Sequence, residues 1–129
     1  MNEAALSRWR AAVLAAAGLC GAAGVALAAA AAHKVQSPAL VSASTMLLVH
    51  APAAVAIAAH SRGASRPRWW LAVASVMLSA ACLFAGDVTL LSFAGTRLFP
   101  MAAPIGGSMM ILAWLALAVV AVLDRRQGV

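Results

Sequence analysis

The sequence predicts an all-α integral membrane protein, with four transmembrane helices in an antiparallel bundle and both termini in the cytoplasm. Three observations support this fold class: an apolar composition, four long apolar stretches, and basic residues that cluster on one side of them. Of the 129 residues, 65% are hydrophobic and only 9% are charged, whereas a soluble domain carries about 25% charged residues. Because so few polar side chains are available to face water, we expect lipid to surround most of the exterior.

Four stretches of the chain are long enough to span a bilayer, because roughly 20 apolar residues in a helix cross about 30 Å of hydrocarbon. The length of the chain suits one domain. We therefore expect a single transmembrane domain over residues 1–129, with spans at about residues 11–32, 40–59, 69–93 and 99–123.

The first span is rich in alanine. Alanine is weakly hydrophobic but lets helix backbones approach closely, so such a helix gains more from packing against another helix than from contact with lipid. Two pairs of small residues four positions apart, Gly24 with Ala28 and Gly18 with Ala22, offer faces for that packing. The partner is either another helix of the bundle or a second copy of the chain.

The first span also has features of a secretory signal peptide. Arg8 and Arg10 precede it, and the small residues Ala28–Ala30 near its end resemble a cleavage site. The apolar run over residues 11–32 is, however, longer than the roughly 7–15 residues of a signal peptide. We therefore interpret it as a transmembrane helix.

The third span begins at Trp69 and Trp70, directly after Arg66 and Arg68. Tryptophan prefers the headgroup level and arginine anchors there, so this segment marks a cytoplasmic boundary. Near the other end of the span, Gly86–Asp87 interrupts the apolar sequence.

The fourth span contains a proline and two glycines near its start, at Pro104, Gly106 and Gly107. Such a segment can bend a helix and expose its backbone groups to a ligand, as the broken helices of transporters do. It can also let a neighbouring helix pack closely. The sequence leaves both interpretations open, with close packing favoured.

Basic residues set the orientation of the predicted bundle. Only Lys34 and Arg97 fall in the connections that follow the first and third spans. The other seven lie before the first span, between the second and third, or after the fourth: Arg8, Arg10, Arg62, Arg66, Arg68, Arg125 and Arg126. This positive-inside pattern predicts a multi-pass membrane protein with cytoplasmic termini. Orientation and attraction to anionic headgroups explain the net charge of +6, so we expect no nucleic-acid partner.

Polar residues inside a bilayer are costly, which makes each one a candidate for function. His50 lies near the middle of the second span, two residues before Pro52, which lacks the N–H that would bond to the carbonyl of Leu48. His50 either hydrogen-bonds to a neighbouring helix or takes part in metal or haem ligation or in proton transfer. Met46 is a weak candidate for a second ligand, because thioether and imidazole groups together suit Cu(I).

A second group of polar residues is expected at the outer end of the bundle. Asp87 lies about 26 Å along the third helix from Trp69, close to the outer surface. His33, Lys34 and Arg97 are predicted on the same side. We expect these side chains to meet there, as an interfacial ion pair or as a substrate or ion site.

Reactive groups are otherwise scarce. The sequence has no Gly-x-Ser-x-Gly, no phosphate loop and no His-Glu-x-x-His, and its three acidic residues leave most acid–base schemes without a partner. We expect no enzymatic activity, no catalytic residue, no cofactor and no metal site.

The two cysteines, Cys20 and Cys82, both fall inside apolar stretches. There we expect small buried hydrophobic side chains rather than a disulfide pair.

Several short motifs carry a family resemblance. The first span ends in Ala-Ala-His at His33, the second carries His50, the third ends in Phe-Ala-Gly-Asp around Gly86, and the fourth begins Ala-Pro-Ile-Gly-Gly at residues 103–107. In this order and spacing they resemble the YgdD/YwdK-like family of small four-helix inner-membrane proteins, a domain-of-unknown-function family. The resemblance runs from about residue 11 to residue 123. It implies the four-helix topology and a location in the bacterial inner (plasma) membrane, and it supplies no settled activity.

The sequence favours a non-enzymatic accessory or scaffolding membrane protein, which forms a homo-oligomer or packs on a larger membrane complex. Its small size, alanine-rich surface and few polar groups support this hypothesis. One alternative is a small oligomeric transporter or channel, and another is a haem- or copper-binding membrane protein. The candidate functional positions are His33, His50, Asp87, Arg97, Pro104, Gly106 and Gly107.

Overall fold

The protein is all-α, and its computed structural model describes residues 1–33 and 37–125. Four helices follow one another along the chain: α1 (Glu3–His33), α2 (Pro38–His60), α3 (Pro67–Ala94) and α4 (Ala102–Arg125). Each is long and apolar enough to cross a membrane. The all-α, four-helix part of the predicted fold class is confirmed.

Local capping fixes the start of the first two helices. The side chain of Asn2 accepts a hydrogen bond from the backbone N–H of Ala5 at 2.9 Å, which satisfies one of the free N–H groups in the first turn of α1. Ser37 plays the same role for α2 by accepting from Leu40 N–H at 3.4 Å. Pro38 occupies the first position of α2, where its missing N–H removes no helical hydrogen bond.

Helix α3 continues through Gly86–Asp87, where the sequence suggests an interruption, and ends at Ala94. The next residue, Gly95, adopts a left-handed conformation with φ of +69° and donates its N–H to the carbonyl of Leu91 at 3.1 Å. Glycine adopts this conformation without steric cost, and it stops the helix. The polar Asp87 stays within the helix because its carboxylate finds partners in the connection to α4.

Helix α4 begins at Ala102, later than the predicted start at residue 99. Met101 has a φ of +71°, outside the helical region, so Phe99–Met101 form a turn instead. Pro104 then falls in the first turn of α4, where a missing N–H costs nothing. Helix α4 is continuous from Ala102 to Arg125, and it has no break at Pro104, Gly106 or Gly107.

Helix α3 is the centre of the bundle. It packs against each of the other three helices, and α1 also packs against α2. Within the described part of the chain, the backbone of α4 packs against α3 alone. Much of the buried core consists of small side chains, and the largest fully buried apolar residues are Leu40, Leu71 and Met77.

Glycine allows two close helix contacts. A Cβ atom on Gly106 of α4 would lie 2.8 Å from the backbone nitrogen of Phe84 and 2.9 Å from the carbonyl oxygen of Ala80, both on α3. A Cβ atom on Gly24 of α1 would lie 2.8 Å from Cγ of Leu48 on α2. The contact at Gly106 involves backbone atoms and cannot relax by a side-chain rotation, so Gly106 sets the spacing of α3 and α4.

We expect Gly106→Ala to destabilise the protein by about 1–3 kcal/mol, because the added methyl group forces α3 and α4 apart. The neighbouring substitution Gly107→Ala is the matched control. A Cβ atom there meets nothing within 4 Å, and the higher helix propensity of alanine favours the helix by up to about 1 kcal/mol. The measurement is the midpoint of thermal unfolding in a mild detergent. Equal effects of the two substitutions would show that α3 and α4 are not in backbone contact at Gly106.

Candidate functional site

His50 is a buried polar residue near the middle of α2, and it is 4% exposed. Its Nδ1 lies 2.6 Å from the carbonyl oxygen of Met46, one turn earlier in the same helix. Its Nε2 lies 3.2 Å from the indole nitrogen of Trp114 on α4. The imidazole and indole rings meet edge to face, with centroids 6.1 Å apart and an interplanar angle of 60°.

The partners of His50 define its tautomer. An indole N–H is a donor only, so Nε2 of His50 accepts this hydrogen bond and carries no proton. The proton of the neutral ring is therefore on Nδ1, which donates to the carbonyl of Met46. Both ring nitrogens are satisfied inside the protein, as expected for a polar group in hydrocarbon.

This hydrogen bond links two helices that have no backbone contact with each other. α2 and α4 both pack on α3, and Trp114 reaches from α4 to His50 on α2. Hydrogen bonds between transmembrane helices contribute about 0.6 kcal/mol on average and up to about 1.7 kcal/mol. The pair therefore ties α4 to the other side of the bundle.

The same geometry bears on the haem and copper hypothesis. Ligation by His50 would require the loss of its hydrogen bond to Trp114 or to Met46, and Met46 contributes its carbonyl oxygen to this arrangement. The described residues form no group of three or more His, Cys, Asp or Glu side chains that could hold a metal ion. The arrangement fits an inter-helix hydrogen bond better than a ligand set.

At one end of the bundle, Asp87 of α3 is fully buried. One carboxylate oxygen accepts a hydrogen bond from Nη1 of Arg97 at 2.9 Å, and the other accepts from the backbone N–H of Leu98 at 2.9 Å. The Arg97 side chain is 48% exposed, so the ion pair lies at the edge of the protein. Charge-assisted bonds of this kind are stronger than neutral ones, and they hold the α3–α4 connection against the end of α3.

The other candidate positions have different surroundings. His33 is exposed at the end of α1 and forms no hydrogen bond or ion pair with any described residue. Lys34 lies outside the described residues. Pro104 is exposed in the first turn of α4, while Gly106 is buried in the contact with α3. Of the four side chains expected to meet at this end, the structure brings Asp87 and Arg97 together and leaves His33 apart from them.

The opposite end carries inter-helix bonds that the sequence does not indicate. Arg10 of α1 donates through Nε to the hydroxyl of Ser61 at 3.0 Å and through Nη2 to its carbonyl at 3.2 Å. Trp9 of α1 donates to the hydroxyl of Ser75 on α3 at 2.9 Å. Arg10 and Trp9 thus join the start of α1 to the end of α2 and to α3.

Asp124, near the end of α4, completes this end of the bundle. Its two carboxylate oxygens accept from the backbone N–H of Arg66 at 3.1 Å and from the indole of Trp70 at 3.3 Å. The ring of His60 packs on Trp70 with centroids 4.2 Å apart. A carboxylate at the end of the fourth span, on the side with most arginines and tryptophans, was the available sequence signal for this contact.

We expect Trp114→Phe to destabilise the protein by about 0.5–2 kcal/mol, because it leaves Nε2 of His50 without a donor while keeping an aromatic ring. Trp69→Phe is the matched control, since the Trp69 indole is 57% exposed and makes no hydrogen bond to a described residue. The measurement is again the unfolding midpoint in detergent. An equal effect of both substitutions would mean that the His50–Trp114 bond contributes nothing.

We expect a double-mutant cycle with Asp87→Asn and Arg97→Gln to give a coupling free energy of about 0.5–3 kcal/mol. Arg97→Gln alone leaves a buried carboxylate without its cation, which is strongly unfavourable. In the Asp87→Asn background the same substitution removes no charge pair and has a smaller effect. Additive free energies in this cycle would contradict the ion pair.

A comparison with protein-family models identifies the family to which the chain belongs. The family described as "Protein of unknown function (DUF423)" matches residues 20–107, which is more than half of the chain. The match includes His50, Asp87, Arg97 and Gly106, and it agrees with the resemblance to a domain-of-unknown-function family. Neither the curated proteins nor the solved structures contain a match to the chain. The chain belongs to the DUF423 family of proteins of unknown function.

Proposed function

We propose that this protein is a non-enzymatic accessory or scaffolding component of the bacterial inner membrane, which assembles with further copies of itself through the outer face of α1. In this proposal the four helices form an antiparallel bundle with both termini in the cytoplasm. A larger membrane complex that contains the assembled copies is compatible with the same surface.

The observation that carries the proposal is the composition of the exposed face of α1. Small residues spaced three, four or seven positions apart form one stripe along this helix: Ala11, Ala15, Gly18, Ala22 and Ala29, with Val25 as the one larger residue among them. All are exposed, and a Cβ atom on Gly18 would meet nothing within 4 Å. Such a face gains little from lipid and allows the close approach of another helix.

The burial of the helices supports the same proposal. In the most apolar window of each span, 44% of α2 residues and 50% of α3 residues are buried, but only 22% in α1. The intramolecular contact of α1 uses Gly24, whose carbonyl accepts from the hydroxyl of Ser44 at 2.8 Å. The stripe through Gly18 and Ala22 lies outside this contact and is available to a partner.

The orientation rests on the charges at the two ends. Arg10 near the start of α1 bonds to Ser61 after α2, and Trp70 near the start of α3 bonds to Asp124 near the end of α4. These bonds support an antiparallel arrangement with these segments at one end. Most of the basic residues belong to these segments, and the positive-inside rule assigns such an end to the cytoplasm.

His50 and Asp87 have their hydrogen-bond partners within the chain, and no buried side-chain nitrogen or oxygen among the described residues lacks a partner. The polar groups thus give no specific support to a transport path.

We expect the purified protein to contain more than one copy in mild detergent and Gly18→Leu to be largely monomeric, because the larger side chain blocks close approach at the α1 stripe. Ala118→Leu is the control, since it adds the same bulk to an exposed position of α4. The measurements are light scattering coupled to size exclusion, and cross-linking in membranes before extraction. A wild-type protein that is strictly monomeric and without partners in both would contradict the proposal.

We expect green fluorescent protein fused to either terminus to fluoresce, and alkaline phosphatase fused to the C-terminus to be inactive, because both termini face the cytoplasm. The control is alkaline phosphatase inserted in the α3–α4 connection after Thr96, where it should be active. The reverse activities would show that the bundle has the opposite orientation.

A further inference from the structure

The two cysteines of the chain lie side by side. Sγ of Cys20 on α1 and Sγ of Cys82 on α3 are 3.2 Å apart, and both are free thiols. The sequence predicts two separate buried side chains here. Cys20 is buried, whereas Cys82 is exposed. The pair therefore has one sulfur within the protein and one at its surface.

We propose that Cys20 and Cys82 form a redox site, a dithiol that a lipid-soluble quinone oxidises to a disulfide between α1 and α3. Two S–H bonds break and one S–S bond forms. The two electrons and two protons pass to the quinone, which leaves as the quinol. The sulfur atoms must approach by about 1 Å to reach the bond length of a disulfide, which is 2.03–2.05 Å in proteins generally.

The depth of the pair favours a partner from the bilayer. Cys20 lies ten residues beyond Arg10, and therefore about 15 Å along α1 from the charged end of the bundle. This is about half of the 30 Å hydrocarbon thickness. A water-soluble oxidant such as glutathione disulfide carries charges that would have to enter the hydrocarbon, which is strongly unfavourable.

The surroundings of the pair support the same conclusion. Both cysteines line an open groove of about 450 Å³ on the surface of α1 and α3. The groove is almost entirely apolar, with Leu19, Leu27, Leu47 and Ala85 among its walls. Its volume is within the range of small-molecule sites, about 300–1,000 Å³. A quinone ring in this groove would reach Cys82 directly.

The chemistry also fits the environment. A quinone accepts two protons together with two electrons, so two neutral thiols and a neutral quinone give a neutral disulfide and a neutral quinol. No charged species has to enter or leave the hydrocarbon in the overall step, where an ion would be costly. The two sulfur atoms are already in contact, so the reacting atoms of the dithiol are brought together before the oxidant arrives.

The test uses the full-length protein in liposomes without oxygen, reduced with dithiothreitol and then freed of it. The oxidant is a fully substituted benzoquinone with a short alkyl tail, which resists the addition of thiols. Free thiols are counted by maleimide labelling after denaturation, the mass of the intact chain is measured, and quinol is followed by absorbance. Glutathione disulfide at the same concentration is the comparison.

We expect the wild-type protein to pass from two labelled thiols to none, to lose two hydrogens in mass, and to form one quinol per chain. We also expect closure to be at least about tenfold faster with the quinone than with glutathione disulfide, since the charges of glutathione disulfide keep it out of the hydrocarbon. Cys20→Ala and Cys82→Ala should each keep one labelled thiol and form no stoichiometric quinol.

Three results would overturn the proposal. Retention of both thiols in the wild-type protein after quinone treatment would show that the pair is not redox-active towards quinones. A mass gain equal to the quinone, or a disulfide between two chains, would show a different reaction. Equal rates with glutathione disulfide would show that access is not through the lipid. Each of these results is measured on the wild-type protein, so the test does not depend on whether a cysteine variant folds.

Discussion

The absence of water from the bilayer core is the constraint on which the structure depends, because a polar group buried there needs a partner within the protein. The hydroxyl groups of four side chains donate to the carbonyl four residues earlier in their own helix: Ser42, Thr45, Ser75 and Ser92. Ser44 bonds across to α1, His50 bonds across to α4, and Asp87 bonds to the connection beyond its own helix. The positions of the inter-helix bonds follow from this requirement, since the groups that cannot be satisfied locally have to reach a neighbour.

Close packing of small residues is the second source of stability. Helices in lipid gain little from apolar contact as such, so they associate where backbones approach closely. Gly24 allows this for α1 and α2, and Gly106 allows it for α3 and α4. Helix α3 connects the two contacts, because it packs against all three other helices. The bundle is therefore a triangle of α1, α2 and α3 with α4 attached to α3, and the Trp114–His50 bond is the side-chain link from α4 back to α2.

The fold class was predictable from the sequence because hydropathy and the length of the apolar stretches can be read directly from the chain.

The candidate site was predictable only in part. His50 and Asp87 stand out as polar residues in an apolar chain, but nothing in the sequence specifies Trp114 as the partner of His50, because this pairing depends on how far α4 is rotated and shifted along α3. The contact of Cys20 with Cys82 was missed for the same reason, since the relative register of α1 and α3 has no sequence signal. The start of α4 was misplaced because Phe99 is apolar and the left-handed turn at Met101 is not encoded by a glycine.

The two outer helices show why burial alone does not identify a surface for assembly. In α1 and α4 the same share of the apolar window is buried, 22%. The exposed face of α4 nevertheless consists mainly of large side chains such as Ile111, Leu112 and Leu115, which extend towards the lipid and keep the helix backbone away from a neighbouring helix. The exposed face of α1 is formed mainly by alanine and glycine, which leave the backbone accessible. Since van der Waals contact and close approach drive helix association in lipid, equal exposure has opposite consequences for the two helices. The large residues of α4 suit lipid, and the small residues of α1 suit another helix.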